Sequence, residues 1–202
     1  MSIDSALRLI SDLADQAVIL PVVGAVLLLL IALGEWRAAG WWSVAIALAL
    51  GTTLTAKLIL IPCGHLVPEL NLRSPSGHTA SAAAAYGGMM MLAAQTRYSN
   101  SGRIAALVLT ALAVLAIALT RILLHAHTVE ETALGAAIGF IAPSVLALRR
   151  QFFVGATPGR HRWLLLLPLI VVPAALGHRA DSEGWIAGAA IGLAHRFGVC
   201  GV

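Results

Sequence analysis

Charged residues are scarce in this sequence: lysine, arginine, aspartate and glutamate together make up 11% of its 202 residues, whereas hydrophobic residues make up 59%. In an ordinary soluble domain about a quarter of the residues are charged, because the surface must stay hydrated. So little charge excludes an ordinary soluble domain and indicates an integral membrane protein.

Cysteines and clusters of acidic residues are also lacking. The two cysteines, Cys63 and Cys200, form neither a disulfide framework nor a zinc-binding pattern, so we interpret them as buried or inert thiols. The sequence offers no group of carboxylates suited to a divalent cation. We therefore expect neither a metal nor another cofactor.

The N-terminal segment lacks the basic region and the small-residue cleavage site of a targeting peptide, so we expect no such peptide. Instead, apolar residues between Ile3 and Ala14 recur at helical spacing. We predict that residues 1–15 contain an interfacial helix that lies on the membrane surface.

Long apolar segments dominate the rest of the chain, and most are close to the ~20 residues that a helix needs to cross the hydrocarbon core. The last full segment, 163–178, is short and contains two prolines. Residues 185–194 are too few to cross alone and are re-entrant, interfacial or half of a seventh span. We predict one domain over residues 1–202, an all-α polytopic membrane bundle of about six transmembrane helices, with spans at 16–34, 41–62, 78–95, 104–124, 129–148 and 163–178.

Two polar clusters lie at the edges of these apolar segments. The first is the tetrapeptide Pro75–His78, directly before one segment, and the second contains Arg121, His127 and Glu131 at the junction of the next two. A phosphate oxyanion binds to fixed cations and backbone N–H groups, and a glycine lets the main chain approach it. The clusters therefore predict a phosphate site at one membrane edge.

The residue types in this site also predict a reaction. His127 can attack phosphorus, and Glu131, one helical turn later, can accept the ring N–H and select the tautomer. His78 is then available to protonate the departing oxygen.

These motifs resemble those of the type 2 phosphatidic acid phosphatase (PAP2) superfamily, which shares its fold and site with the vanadium-dependent haloperoxidases. The family pattern is K-x6-R-P, then P-S-G-H, then S-R-x5-H-x3-D. The second motif is complete, and the third has Thr120 and Glu131 where the family has serine and aspartate. In the first motif Lys57 matches, but Gly64 and His65 take the places of the arginine and the proline. The resemblance covers roughly residues 57–140, the motif-bearing core.

The resemblance implies a membrane-bound, metal-independent phosphatase of the lipid phosphate branch that works through a phosphohistidine. Lys57, Arg121 and the N–H groups around Ser76 and Gly77 would hold the phosphate. Arg73 is our candidate for the missing arginine, with His65 as its competitor. The implied partners are membrane lipids and a lipid phosphate substrate of the phosphatidate, phosphatidylglycerophosphate, polyprenyl diphosphate or lipid A type.

The arginines predict the orientation of the protein. If the spans alternate, all the candidate site residues fall on one face, while the other face carries most of the remaining arginines. The positive-inside rule assigns the arginine-rich face to the cytoplasm, and the site to the extracytoplasmic side of, we expect, a bacterial inner (plasma) membrane. The net charge of +4 then reflects membrane orientation and not a nucleic-acid surface. The arginine-rich face comprises Arg37, Arg97, Arg103, Arg149, Arg150, Arg160 and Arg162.

Other interpretations of the same residues remain open. Lys57 can be a snorkelling anchor, and Arg121 and Glu131 can form an ion pair across a helix break. A transporter could line a polar pathway with these residues and His127, and a metal-binding membrane protein could use His125, His127 and Glu131. Within the same family, a lipid phosphotransferase would pass the phosphoryl group to an acceptor other than water.

The pentapeptide Gly-Ala-Ala-Ile-Gly occurs twice, at residues 135–139 and 188–192. Small residues four apart allow membrane helices to approach closely. We therefore interpret both copies as helix-packing sites and not as a half-repeat.

Overall fold

The computed structural model describes residues 2–66, 72–94, 100–149 and 160–200, and this part of the chain is helical and contains no strand. A π-helical turn at Ala83–Gly87 and short 3₁₀ turns at Gly64–Leu66 and Arg160–Leu166 supplement the α-helices. The α-helices are α1 (Ile3–Asp12), α2 (Gln16–Ala32), α3 (Trp36–Cys63), α4 (Gly77–Ala82), α5 (Gly88–Ala94), α6 (Asn100–Leu123), α7 (Val129–Gly139), α8 (Ile141–Leu148), α9 (Leu167–Ala175) and α10 (Ser182–Phe197).

Four helical segments in the described part are long and apolar enough to cross a membrane: Ile3–Ala32, Trp36–Cys63, Ser101–Leu123 and Val129–Leu148. Each exposes large apolar side chains, which suits contact with lipid. The prediction of an all-helical membrane protein is confirmed at this level. The count of six spans depends also on residues 77–94 and on the shorter apolar helix Trp163–Ala175, and stays a prediction.

The N-terminal segment forms a helix, α1, as the apolar spacing indicates. The Ser2 side chain caps α1, and Asp15 caps α2 by accepting from the N–H of Ala17. A short turn separates the two helices, so α1 can lie at an angle to α2. Its location on the membrane surface remains a prediction.

The apolar core lies toward the end of α3 that is distant from Lys57. Trp42 is fully buried there, and its indole Nε1 donates to the carbonyl of Val23 on α2 at 3.1 Å. Side chains of α2, α5 and α8 pack around the indole, among them Leu30, Leu92 and Leu146. This core holds the helices in the arrangement that brings their other ends together.

Two glycines allow α7 to lie directly against α4. A Cβ at Gly135 would fall 2.5 Å from the carbonyl oxygen of Ser76, and one at Gly139 would meet the carbonyl of Ala80. The packing interpretation therefore holds for the first Gly-Ala-Ala-Ile-Gly copy. It does not hold for the second, because a Cβ at Gly188 or Gly192 would have nothing within 4 Å.

Cys63 and Cys200 form a disulfide, with Cα atoms 5.0 Å apart, that joins the end of α3 to the segment after α10. The interpretation of the two cysteines as inert thiols is therefore wrong. The cysteines are separated by 137 residues, and only the packing of α10 on α3 brings them together.

The disulfide also restricts the course of α10. Glu183, at the start of α10, contacts Lys57, while Cys200 beyond its end is bonded to Cys63. Six helical residues span about 9 Å, so both ends of α10 lie near the same end of α3. The alternatives for residues 185–194 (re-entrant, interfacial or half of a seventh span) stay predictions.

Candidate active site

The ends of α3 and α6 and the starts of α4 and α7 meet at one end of the bundle. Lys57 on α3 donates to the hydroxyl of Ser74 at 3.1 Å, and the N–H of Ser76 donates to the carbonyl of Glu131 at 2.9 Å. The two motifs that are remote in sequence are therefore in direct contact.

Glu131 connects these motifs through its side chain. One carboxylate oxygen, Oε1, accepts from the backbone N–H groups of Arg73 at 2.9 Å and Ser74 at 3.0 Å. The other, Oε2, lies 2.8 Å from Nδ1 of His127 and also accepts from the N–H of Thr128, which with Glu131 forms a capping box at the start of α7. Glu131 thus fixes both the loop before Pro75 and the imidazole of His127.

The contact with Glu131 defines the tautomer of His127. A carboxylate can only accept, so Nδ1 carries the proton and Nε2 keeps a free lone pair. Burial lowers the pKa of His127 and the hydrogen bond to Glu131 raises it, with a net lowering below the ordinary value. The lowered pKa favours the neutral ring, in which the Nε2 lone pair is available.

Ser76 is fully buried and acts as the N-cap of α4. Its hydroxyl accepts from the N–H of Thr79 at 3.4 Å and from the hydroxyl of the same residue at 3.0 Å, and its own N–H is bonded to Glu131. Ser76 therefore shapes the turn, and its donors are already engaged. The N–H groups of Gly77 and His78, in the first turn of α4, are those that helix geometry leaves without an intrahelical acceptor.

Lys57 is 2% exposed and forms an ion pair with Glu183 of α10, with Nζ 2.5 Å from Oε2. The pair lies over Gly77: a Cβ at that position would be 2.8 Å from Oε1 of Glu183 and 3.4 Å from Cε of Lys57. The absence of a side chain at Gly77 therefore keeps open the space in which Lys57 meets an anion.

Arg121 and His78 line a polar cavity of about 340 Å³ beside this pair, together with Glu183. Nη1 of Arg121 donates to the hydroxyl of Ser11 at 3.0 Å. Its Nε is buried, and among the described residues it has no hydrogen-bond partner. A buried, unused N–H donor on a guanidinium is suited to an incoming oxyanion.

The carboxylate of Asp15 lies next to His78. In the sequence Asp15 belongs to the N-terminal segment, and this contact was not predicted from it. Its Oδ2 lies 3.7 Å from Nε2 of His78, which is too long for a direct hydrogen bond but close enough to stabilise a protonated ring. Its Oδ1 accepts from the N–H groups of Ala17 and Ala180, which links the start of α2 to the loop before α10.

Asp12 and Arg179 form a second link between the N-terminal and C-terminal segments. Nε and Nη2 of Arg179 donate to the two carboxylate oxygens of Asp12 at 3.0 and 2.9 Å, and this hydrogen bonding raises the pKa of Arg179. Both residues line the polar cavity, as does Arg8. No local spacing in the sequence relates these residues to the motifs.

A second cavity, of about 310 Å³, adjoins the first. Its polar end is formed by Lys57, Gly77 and Glu183, and Glu183 lines both cavities. The rest of its wall is mainly apolar and includes Leu20, Leu50, Leu54 and Ile186.

The structure does not place the side chain of either candidate for the missing arginine, Arg73 or His65, in the described cavities. The side chain of Arg73 is exposed and is not among the described residues that line either cavity, although its N–H is bonded to Glu131. The side chain of His65 lies outside the described residues. His125 is exposed and has a positive φ of 52° in the turn after α6.

The described residues include no group of three histidine, cysteine, aspartate or glutamate side chains that could hold a metal ion. The arrangement therefore does not favour the alternative in which His125, His127 and Glu131 act as metal ligands.

A family model described as the PAP2 superfamily matches residues 59–154, a range that contains Pro75–His78, Arg121, His127 and Glu131. Just under half of the chain is therefore similar to the PAP2 superfamily. A similar protein is the "Uncharacterized 22.5 kDa protein in cps region" of Klebsiella pneumoniae, 25% identical over 172 residues that make up 85% of this chain and 82% of the relative. No solved structure matches the chain. Asp15 and Glu183 lie outside the matched range.

Proposed function

We propose that this protein is a membrane lipid phosphate phosphatase that acts without a metal through a phosphohistidine. The observation that carries the proposal is the position of Glu131, whose carboxylate binds His127 at 2.8 Å and also the loop that leads into Pro75–His78. One residue thereby aligns the nucleophile with the predicted phosphate-binding turn.

In the first half-reaction, Lys57, Arg121 and first-turn N–H groups of α4 hold the non-bridging oxygens of the phosphate. Nε2 of His127 attacks phosphorus while the bond from phosphorus to the leaving oxygen breaks. His78 gives its proton to that oxygen, and Asp15 stabilises the charged ring before the transfer. The products are the dephosphorylated lipid and phosphohistidine.

In the second half-reaction, His78 is neutral and takes a proton from water. The water oxygen bonds to phosphorus and the P–N bond to His127 breaks, which releases inorganic phosphate and restores both histidines. Glu131 stabilises the positive charge that develops on His127. The match of residues 59–154 to the PAP2 superfamily supports a phosphoester hydrolase, and the phosphohistidine is our proposal.

The two adjoining cavities support an amphiphilic substrate. A phosphate near Lys57 and Arg121 would have a polar cavity on one side and a wall of leucine and isoleucine side chains on the other. Phosphatidate, phosphatidylglycerophosphate, polyprenyl diphosphate and lipid A phosphates all combine a phosphate with hydrocarbon chains, and we propose a substrate of this class.

The disulfide supports the orientation proposed from the arginines. Disulfides persist in oxidising compartments such as the bacterial periplasm, and Cys63 follows Lys57 at the site end of α3. At the opposite end, the guanidinium of Arg149 lies 4.6 Å from the ring centre of Trp41. We propose that the site faces the extracytoplasmic side of a bacterial inner membrane.

The test is release of inorganic phosphate from a panel of lipid phosphates in detergent with EDTA present. We expect release by the wild type and a loss of ~10³-fold or more in His127→Ala, because the covalent route is removed. His125→Asn is the matched control, since it removes an exposed neighbouring imidazole and asparagine tolerates a positive φ. Near-normal release by a folded His127→Ala protein would refute the mechanism, and formation of dephosphorylated lipid without free phosphate would assign a phosphotransferase.

A further inference from the structure

The ion pair between Lys57 and Glu183 lies in the space that the proposed function assigns to the substrate phosphate. Glu183 brings one carboxylate oxygen to 2.5 Å from Nζ of Lys57 and the other next to Gly77, where a Cβ would be 2.8 Å away. A carboxylate and a phosphate are both oxyanions that accept from ammonium groups. Glu183 therefore occupies the space next to Lys57 that the proposed function assigns to phosphate oxygens.

Phosphate and Glu183 would compete for Lys57. Two like charges separated by a few ångströms in a partly buried site repel strongly, and one of the three ammonium donors is already bonded to Ser74. Binding of phosphate to Lys57 therefore favours movement of Glu183 away from it.

The surroundings of Glu183 permit this movement. Its side chain is 40% exposed, whereas that of Lys57 is 2% exposed. It lines both cavities, so rotation of the side chain takes the carboxylate into open space and not into packed atoms.

The backbone at Glu183 is held more firmly than its side chain. The preceding loop is fixed where the N–H of Ala180 donates to Asp15 at 3.0 Å, and the far end of α10 is bonded through Cys200 to Cys63. The carboxylate can therefore leave Lys57 and return while α10 stays in place.

From these observations we infer that Glu183 is a gate residue that competes with the substrate phosphate for Lys57. It neutralises Lys57 in the empty enzyme, swings aside when phosphate binds, and returns to displace inorganic phosphate after hydrolysis. The inference rests on the proposed function, because it takes Lys57 to be a phosphate ligand. It adds a residue outside the family match that sets phosphate affinity and product inhibition.

The test is direct binding of inorganic phosphate, measured by isothermal titration of the purified full-length protein. Glu183→Gln keeps the size of the side chain and removes its charge, so phosphate should bind on the order of 10-fold more tightly than to the wild type. Glu183→Asp keeps the charge but shortens the reach to Lys57, and should also bind phosphate more tightly. Glu130→Gln, a change of the same type at an exposed residue at the start of α7, should bind like the wild type.

Binding of phosphate to folded Glu183→Gln that is no tighter than to the wild type would overturn the inference, whatever the turnover results. If binding tightens but the protein releases no inorganic phosphate from any lipid phosphate, the result supports the inference about Glu183 and refutes the proposed phosphatase function. If turnover is present, the KM of Glu183→Gln should fall by a similar factor with little change in kcat before product accumulates. A rise in KM would instead make Glu183 a residue that positions Lys57.

Discussion

Replacing Glu131 with glutamine tests the central contact of the site, because it changes the tautomer of His127 while leaving its surroundings in place. A glutamine has one carbonyl oxygen and one NH2 group, where glutamate has two accepting oxygens. With its oxygen toward the N–H groups of Arg73 and Ser74, it keeps two backbone hydrogen bonds of about 1 kcal/mol each. The NH2 group then points at Nδ1 of His127, which must accept.

This reversal moves the ring proton of His127 to Nε2, the nitrogen that we propose attacks phosphorus. The analogous wrong tautomer in a serine protease triad costs about 10⁴ in kcat, so we expect kcat of Glu131→Gln to fall by roughly 10³–10⁴-fold. KM should change little, because Lys57 and Arg121 are untouched. The free energy of unfolding should fall by only about 1–2 kcal/mol, from the weakened capping box and the lost charged hydrogen bond.

The assay is steady-state phosphate release with the best substrate of the panel, with kcat and KM determined separately. Glu130→Gln is the matched control, since it makes the same change at the neighbouring exposed carboxylate, and it should behave like the wild type. A kcat of Glu131→Gln within about 10-fold of the wild type would refute the argument from the tautomer. Glu131→Asp tests the departure from the family pattern, and retained activity would show that the reach of the carboxylate is not critical.

Three further predictions concern the nucleophile, the missing arginine and the orientation. Because burial lowers the pKa of His127, the acid limb of kcat/KM should lie below the ordinary histidine pKa of ~6.5, where protonation removes the lone pair. A fall at higher pH would report loss of the proton that His78 donates, so it should be absent in His78→Ala. An acid limb that begins above ~6.5 would contradict the assignment of His127. If the guanidinium of Arg73 binds phosphate, Arg73→Ala should lose ~10²-fold in kcat/KM while its backbone contact to Glu131 is kept. Normal activity of Arg73→Ala together with an inactive His65→Ala would assign the role to His65. Single cysteines at Ser74 and Thr157, in a protein without the two native cysteines, should react with an impermeant thiol reagent from opposite sides of the membrane, and labelling of both from one side would contradict the span count or the orientation.

The motif residues could be identified from the sequence because their chemistry depends on local spacing. The four-residue step from His127 to Glu131 is one helical turn, which brings the carboxylate to the ring nitrogen wherever the helix lies. Pro75–His78 likewise predicts a capped helix start, and Ser76 is the N-cap of α4. Local spacing did not reveal that Glu131 also binds the backbone of Arg73 and Ser74, because those bonds depend on the approach of α7 to α4.

The residues that sequence reasoning missed come from both ends of the chain. Asp15 lies beside His78 and Glu183 beside Lys57, yet 126 residues separate the members of the second pair. The disulfide between Cys63 and Cys200 belongs to the same class. A charged residue or a cysteine shows no periodicity that reveals its partner, so such contacts become visible only when the helices are packed.

By itself, then, the sequence determined the membrane character, the helical class, the PAP2 motifs and the pairing of His127 with Glu131, because hydrophobic content and helical periodicity act over short stretches of chain. The tertiary structure alone decided that Glu183 covers Lys57, that Asp15 faces His78 and that α10 is bonded back to α3. The physical reason is that these contacts join segments whose meeting depends on how whole helices pack. Two glycines of α7 and the buried core around Trp42 set that packing. The glycine pattern indicates that α7 packs closely, but it does not indicate which helix lies against it.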